Sequence, residues 1–360
     1  MKNPYQDLPA TAYWRTAVAD PDALDITGLW QPKFPITMTD QTATSGSCFA
    51  QHISRAMQNH GFRWMDCEPA PPVLSPESAK TFNYGVFSFR TGNIYTTTLL
   101  RQWVRWALEE EVPDSEHWER DGRVFDPLRP QIEPGGFSSV EEMHGARAVT
   151  LAAIREALVS SDVFVFTLGL TESWRNSETG LVYSNCPGTI GGEFDAARHV
   201  FANDTYPEVY AAMADVIEMA KVVNPAIRFL LTVSPVPLTA TASGQHVLAA
   251  TTYSKSTLRA VAGDLANAFP NVDYFPSYEI ITAVPYQGRF FEPNLRSVRP
   301  EGVAHVMSQF FAGLRSVGVE VHTEDQQQTP TAPPRRVPTE EETADDVVCE
   351  DEILEYYNAH

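Results

Sequence analysis

No window of the sequence approaches 18 uninterrupted apolar residues, so no membrane-spanning helix is expected. The first ten residues lack a basic patch followed by an apolar run, so no secretory signal is expected either. Four cysteines (Cys48, Cys67, Cys186 and Cys349) share no C-x-x-C or metal-like spacing. They read as reduced thiols of a cytoplasmic protein. Gly135-Gly136 and Gly191-Gly192 lack the Lys-Ser/Thr that follows a phosphate-cradling loop, so no nucleotide is expected. No metal constellation stands out, and no metal or cofactor is expected. Basic residues are few: 26 Lys and Arg stand against 46 Asp and Glu, a net charge of −20. Such an excess repels nucleic acid and anionic membrane and excludes both as partners.

What remains is a chain of 360 residues with an ordinary hydrophobic fraction of 43%, enough for one large core. Residues 30–320 form the expected body. Residues 322–343 are rich in Gln, Pro and Thr, bury too little to offset their ordering entropy, and read as a disordered linker. Residues 345–358 read as a short acidic amphipathic helix, a candidate dock for a protein partner.

Within the body, strand and helix signals alternate. Residues 163–168 and 228–233 are short continuous apolar runs, as expected of strands buried on both faces, and 272–275 is a weaker third. Helical patterns span 149–160, 206–223, 254–269 and 300–317, the last with Pro300 in its first turn. The alternation predicts an α/β fold, a three-layer doubly wound parallel sheet of flavodoxin-like type. Ligands of such sheets bind beyond the carboxyl ends of the strands. Residues 68–148 fit that plan poorly. Apart from a helix at 97–110 they are irregular, and read as an insertion or lid.

Thr44-Ser45-Gly46-Ser47-Cys48 follows an extended stretch at 36–38 and precedes a helical pattern at 49–60. Small residues at a strand-to-helix turn leave a side chain exposed where free backbone N–H groups favour developing negative charge. Ser47 is therefore a candidate nucleophile and Cys48 its alternative. A helix cap for the serine and a small buried hydrophobe for the cysteine are the plainer readings.

The run Gly46-Ser47-Cys48-Phe49-Ala50 spells the signature of the GSCFA family, which is distantly similar to SGNH/GDSL ester hydrolases. Gly92-Asn93-Ile94-Tyr95-Thr96, Phe125-Asp126-Pro127-Leu128-Arg129-Pro130, Gly169-Leu170-Thr171-Glu172, Tyr253-Ser254-Lys255 and Tyr274-Phe275-Pro276-Ser277-Tyr278-Glu279 also resemble it. The resemblance implies an ester hydrolase, or an O-acyltransferase, acting through a Ser47 acyl-enzyme on an O-acylated small molecule or carbohydrate. It also implies oxyanion donors at Gly92, Asn93, Gly169 and Thr171, although Thr171 stands where SGNH relatives carry Asn. The Asp-x-x-His of those relatives is replaced by Asn294-Leu295-Arg296-Ser297. Another base must then serve, or the scaffold is a catalytically inactive binding or assembly protein. His246, in the loop after 228–233, is the first candidate base, with His199 and His144 behind it. Lys255 is the non-histidine alternative, since burial can tune a lysine toward neutrality. Glu172 is a candidate base or partner of a histidine. Glu279 and Arg296 are candidates for a charged pocket around the substrate.

Overall fold

The structure, a computed structural model, describes residues 3–108 and 116–321. The expected linker and acidic terminal helix lie outside the described residues. In chain order the regular elements are β1 (Gln41–Gly46), α1 (Ala50–Asn59), β2 (Arg63–Trp64), α2 (Pro76–Thr81), α3 (Thr97–Leu108), β3 (Trp118–Arg120) and β4 (Arg123–Phe125). Next come α4 (Val140–Ser160), β5 (Val163–Leu168), β6 (Glu172–Asn176), β7 (Val182–Tyr183), β8 (His199–Asn203) and α5 (Tyr206–Val223). The chain continues through β9 (Arg228–Val233), α6 (Val247–Ala268), β10 (Val272–Phe275), α7 (Ser277–Thr282) and α8 (Pro300–Ser316).

The fully buried apolar residues of β5 and β9 drive the central sheet. It is parallel throughout, with order β10-β9-β5-β1-β2. Alternate side chains of one strand serve opposite layers. Phe164, Phe166, Phe229 and Leu231 pack in one core cluster with residues of α3, α4, α5 and α6. Val163, Val165, Leu230 and Phe275 pack in a second cluster with residues of α1, α7 and α8. The fold is thus α/β in three layers, as its alternating pattern predicts. Counted among the parallel strands alone, the order is 2-1-3-4-5, whose direction reverses between β1 and β5. A crevice opens at the carboxyl ends of the two strands that flank such a reversal.

The strand before Ser47 is residues 41–46, not the apolar stretch at 36–38. Thr42, Thr44 and Ser45 carry no apolar signal yet are wholly buried. Thr44 is tied in on every side. Its N–H donates to Ser88 Oγ (2.9 Å), its hydroxyl pairs with Ser54 Oγ (2.8 Å), and it accepts from Trp64 Nε1 (2.8 Å). Helix α3, within the helix expected at 97–110, contributes Leu99, Leu100, Trp103 and Val104 to the main core.

A small antiparallel sheet, β7-β6-β8, stands beyond the end of β5. Trp174 of β6 lies between Tyr183 and Phe201 on its two neighbours. This sheet forms one wall of the cavity described below.

Candidate active site

Gly46 ends β1 with φ +131°, and a Cβ there would stand 2.5 Å from the Thr167 carbonyl oxygen. Only glycine fits so close an approach. The next residue, Ser47, donates its N–H to Thr167 O at 3.0 Å, fastening the turn to β5 before α1 begins. The segment at 92–95 crosses both strand ends. Ile94 N–H donates to Gly46 O (2.9 Å), while Tyr95 O accepts from Gly169 N–H (3.0 Å) and Leu170 N–H (2.9 Å). Gly92, Asn93, Ser47 and Gly169 are thereby gathered at the crevice between β1 and β5. A Cβ on Gly169 would stand 3.0 Å from the Tyr95 ring and 3.1 Å from Ser47 Cβ, so this glycine lets the two segments close.

Ser47 is wholly buried and its hydroxyl has no hydrogen-bond partner; the same holds for Ser45 and Thr167 beside it. Cys48 is also buried, at 4% exposure. With the Ser47 N–H committed to Thr167, that amide does not serve as an oxyanion donor in this geometry.

Tyr253-Ser254-Lys255, on α6, grips the turn after β5. Ser254 Oγ accepts from Thr171 N–H at 3.0 Å, and Lys255 Nζ donates to Gly169 O at 2.6 Å. Lys255 is 1% exposed. It therefore reaches, from within the helix layer, the same glycine that Ser47 touches from β1. The Thr171 hydroxyl donates to Asn203 Oδ1 at 2.7 Å. Thr171 is thus engaged through both its hydroxyl and its N–H, and neither is free to hold an oxyanion as the resemblance implies.

The expected pairing of His246 with Ser47 is not present. His246 is the exposed N-cap of α6, and its Nδ1 accepts from Leu248 N–H at 3.2 Å. It precedes Lys255 by nine residues, about 13 Å of helix axis. No other described histidine contacts the Ser47 hydroxyl. His199 Nδ1 accepts from Asp195 N–H at 3.0 Å, with its ring edge-on to Tyr183. Burial, reinforced by Arg55, pushes His52 down to about 3, so that ring is neutral. Burial and nearby Arg147 also lower His144.

Glu279 and Arg296 do not meet. Glu279 pairs with Arg259 and accepts from Tyr274 OH at 2.7 Å. Arg296 lies in a turn where Asn294 Oδ1 accepts from Arg296 N–H and Ser297 N–H, both at 2.9 Å. Glu172 opens β6, and its Oε1 accepts from Thr241 Oγ1 at 2.6 Å. Burial raises this carboxyl's pKa against the lowering effect of Thr241 and the Ala242 backbone.

A cavity of about 500 Å³ lies where the sheet topology calls for a ligand. Tyr95 and Leu170 line it on the β5 side, Glu172, Trp174 and Phe201 on the small sheet, and residues 238–242 after β9. Sequence reasoning missed Phe194, Phe201, Thr239 and Thr241. The last two were within reach of the strand-end rule, since they follow β9. Among the described residues, no group of three or more His, Cys, Asp and Glu side chains is arranged to hold a metal. No described helix is long and apolar enough to cross a membrane.

No curated protein and no solved structure matches the chain. The sequence profile of the GSCFA family matches residues 41–310, most of the chain and all of the elements that build this site. The chain belongs to the GSCFA family.

Proposed function

We propose that the protein is a serine ester hydrolase or O-acyltransferase of SGNH-like design, acting through a Ser47 acyl-enzyme on an O-acylated substrate such as a carbohydrate ester. One observation carries the reading. Ser47 and Lys255 converge on Gly169, the first with its Cβ 3.1 Å from the glycine's Cβ position, the second with Nζ 2.6 Å from its carbonyl. A buried hydroxyl with no partner is costly to keep, by about 1–3 kcal/mol. A catalytic role at a strand-end crevice is one reason a fold keeps such a group.

In this mechanism Lys255, as the free amine, replaces His246 as the base, and takes the Ser47 proton directly or through one water. Ser47 Oγ bonds to the ester carbonyl carbon, and the alkoxide leaves with a proton returned from Lys255. Water, or a second hydroxyl, then takes the acyl group from Ser47 and regenerates the enzyme. Gly92 and Asn93, strapped over the same strand ends, supply the polar contacts to the carbonyl oxygen. Tyr95 moves to admit substrate, because Ser47 is closed off in the resting state. A fluorophosphonate probe tests the scheme. It labels the wild type at Ser47, fails on Ser47→Ala and Lys255→Met, and still labels His246→Ala. Labelling that persists in Ser47→Ala and is lost in Cys48→Ser assigns the nucleophile to the thiol instead.

A second reading, a catalytically inactive binding protein, draws on a specific observation: no described imidazole or carboxylate contacts the Ser47 hydroxyl. A folded protein that neither takes the probe nor hydrolyses p-nitrophenyl acetate would establish this reading over the first.

A further inference from the structure

The cavity beside the strand ends has a lining of unusual charge character. Glu172 and Trp174 alternate on β6 and so point to one face of the small sheet, where Phe201 lies directly across from Trp174. Phe194 packs edge-on against Trp174 with ring centroids 5.3 Å apart, and Phe201 does the same at 5.8 Å. Tyr95 faces these rings from the β5 side of the same cavity. Among the described residues, no lysine, arginine or histidine lines the space.

Glu172 is the lining's one ionisable carboxylate. The partners it has are neutral: the Thr241 hydroxyl and the Ala242 backbone. Among the described residues, no basic side chain forms an ion pair with it. A second independent feature marks the space as a binding site. Thr239 lines it, and its buried hydroxyl has no hydrogen-bond partner. Unpaired buried hydroxyls beside a cavity are satisfied when a ligand enters.

We propose that this cavity binds an organic cation: an alkylammonium group held between the Trp174–Phe194–Phe201 rings and the Glu172 carboxylate, on a body that fills the remaining space. Aromatic faces attract cations through their quadrupoles, most strongly when water is excluded. The carboxylate supplies the ligand's countercharge, and among the described residues no basic side chain competes for it. The chain's net charge of −20 draws cations toward it over longer range. At about 500 Å³ the space takes more than the ammonium group, so the ligand is a small molecule with a cationic end. The proposal does not depend on Ser47 being a nucleophile.

The experiment compares choline with 3,3-dimethylbutan-1-ol, its uncharged carbon isostere, by calorimetry and by tryptophan fluorescence of the full chain. Choline binds about tenfold or more tightly than the isostere. Glu172→Gln, checked for folding by circular dichroism, lowers choline affinity by about tenfold and leaves the isostere's affinity unchanged. Three results would each overturn the proposal: equal binding of the two probes, no binding of either, or methyl glucoside binding more tightly than choline. The wild-type comparison needs no variant, so it decides the matter even where the substitution unfolds the chain. Fluorophosphonate labelling of Ser47, run in parallel, reports on the ester chemistry separately.

Discussion

The molecule buries two sets of polar side chains and treats them in opposite ways. In the first set, Asp126 is flanked by Arg129 (2.9 Å) and Arg147 (2.7 Å), all almost wholly buried. Arg129 also donates to Arg90 O, and Glu68 accepts from Thr150 and pairs with Arg90. In the second set, Ser45, Ser47 and Thr167 sit at the ends of β1 and β5 with hydroxyls that touch no partner. A buried network whose charges are paired holds structure, because the cost of taking those charges out of water is returned by the paired geometry; here every charge has an opposite partner, although one nitrogen of Arg129, Nη2, has no acceptor. An unsatisfied cluster returns nothing to the fold. The first set is the scaffold of the irregular segment, and the second includes the serine that the proposed function makes the nucleophile.

Breaking the first set should have the largest effect. Asp126→Ala strands two buried guanidinium groups and should cost about 3–5 kcal/mol in urea unfolding. The same ion cluster sets a pH dependence. Burial alone would raise the Asp126 pKa, but Arg147 and Arg129 outweigh it and hold the carboxyl below its ordinary value. A depressed folded pKa contributes stability above the unfolded value of about 4, and that stability is lost as pH falls through the lower, folded one. Urea midpoints measured from pH 5 downward should therefore fall more steeply for the wild type than for Asp126→Asn.

Gly46→Ala strikes the turn that holds the second set, between Ser45 and Ser47 and against Thr167. Its added Cβ meets the Thr167 carbonyl at 2.5 Å, at a φ of +131° that alanine rarely adopts. Both sides of that contact are backbone, so relief requires β1 and β5 to part. A loss of about 2–4 kcal/mol is expected, with loss of labelling at Ser47. A stable and reactive Gly46→Ala protein would show that the clamp between the strands is not what orients the serine.

The second set should respond with the opposite sign. Thr167→Val and Ser45→Ala remove hydroxyls that have no partner, and each should be neutral or stabilising by up to about 1 kcal/mol. Ser47→Ala should stabilise by a similar amount while abolishing labelling, which would separate the cost of the hydroxyl from its use. Destabilisation by Ser47→Ala would instead place that hydroxyl with the first, structural set.

Legibility in the sequence follows the same division. The strands β5, β9 and β10 are apolar runs buried on both faces, and their spans read directly from composition. Strand β1 does not, because its burial is offset by hydrogen bonds of Thr44 with Ser88, Ser54 and Trp64, residues distant or unremarkable in sequence. The small sheet of β6, β7 and β8 is equally hidden. Glu172 to Asn176 becomes a strand by pairing with residues 182–183 on one side and 199–203 on the other. Ser47 is readable from its small neighbours, and Lys255 only as a secondary candidate. What fixes Lys255 at the site is a contact with Gly169, across 86 positions of chain.

His246 offers the finest separation of structure from chemistry. Its ring nitrogen accepts the Leu248 N–H at the start of α6, a task that asparagine, aspartate or serine performs better than histidine. His246→Ala should therefore cost about 0.5–1 kcal/mol, a small change in thermal midpoint, and leave fluorophosphonate labelling intact. His246→Asp restores a side-chain acceptor and adds a negative charge at the positive end of the helix, so it should equal or exceed the wild type in stability. A base cannot be replaced so cheaply. If both variants keep the wild-type labelling rate while Lys255→Met loses it, the proton acceptor lies about two and a half turns into α6 and the histidine at its start is a cap. If His246→Asp is stable but unreactive, the ring reaches Ser47 in a conformation that the resting structure does not display, and Lys255 returns to the role of positioning Gly169.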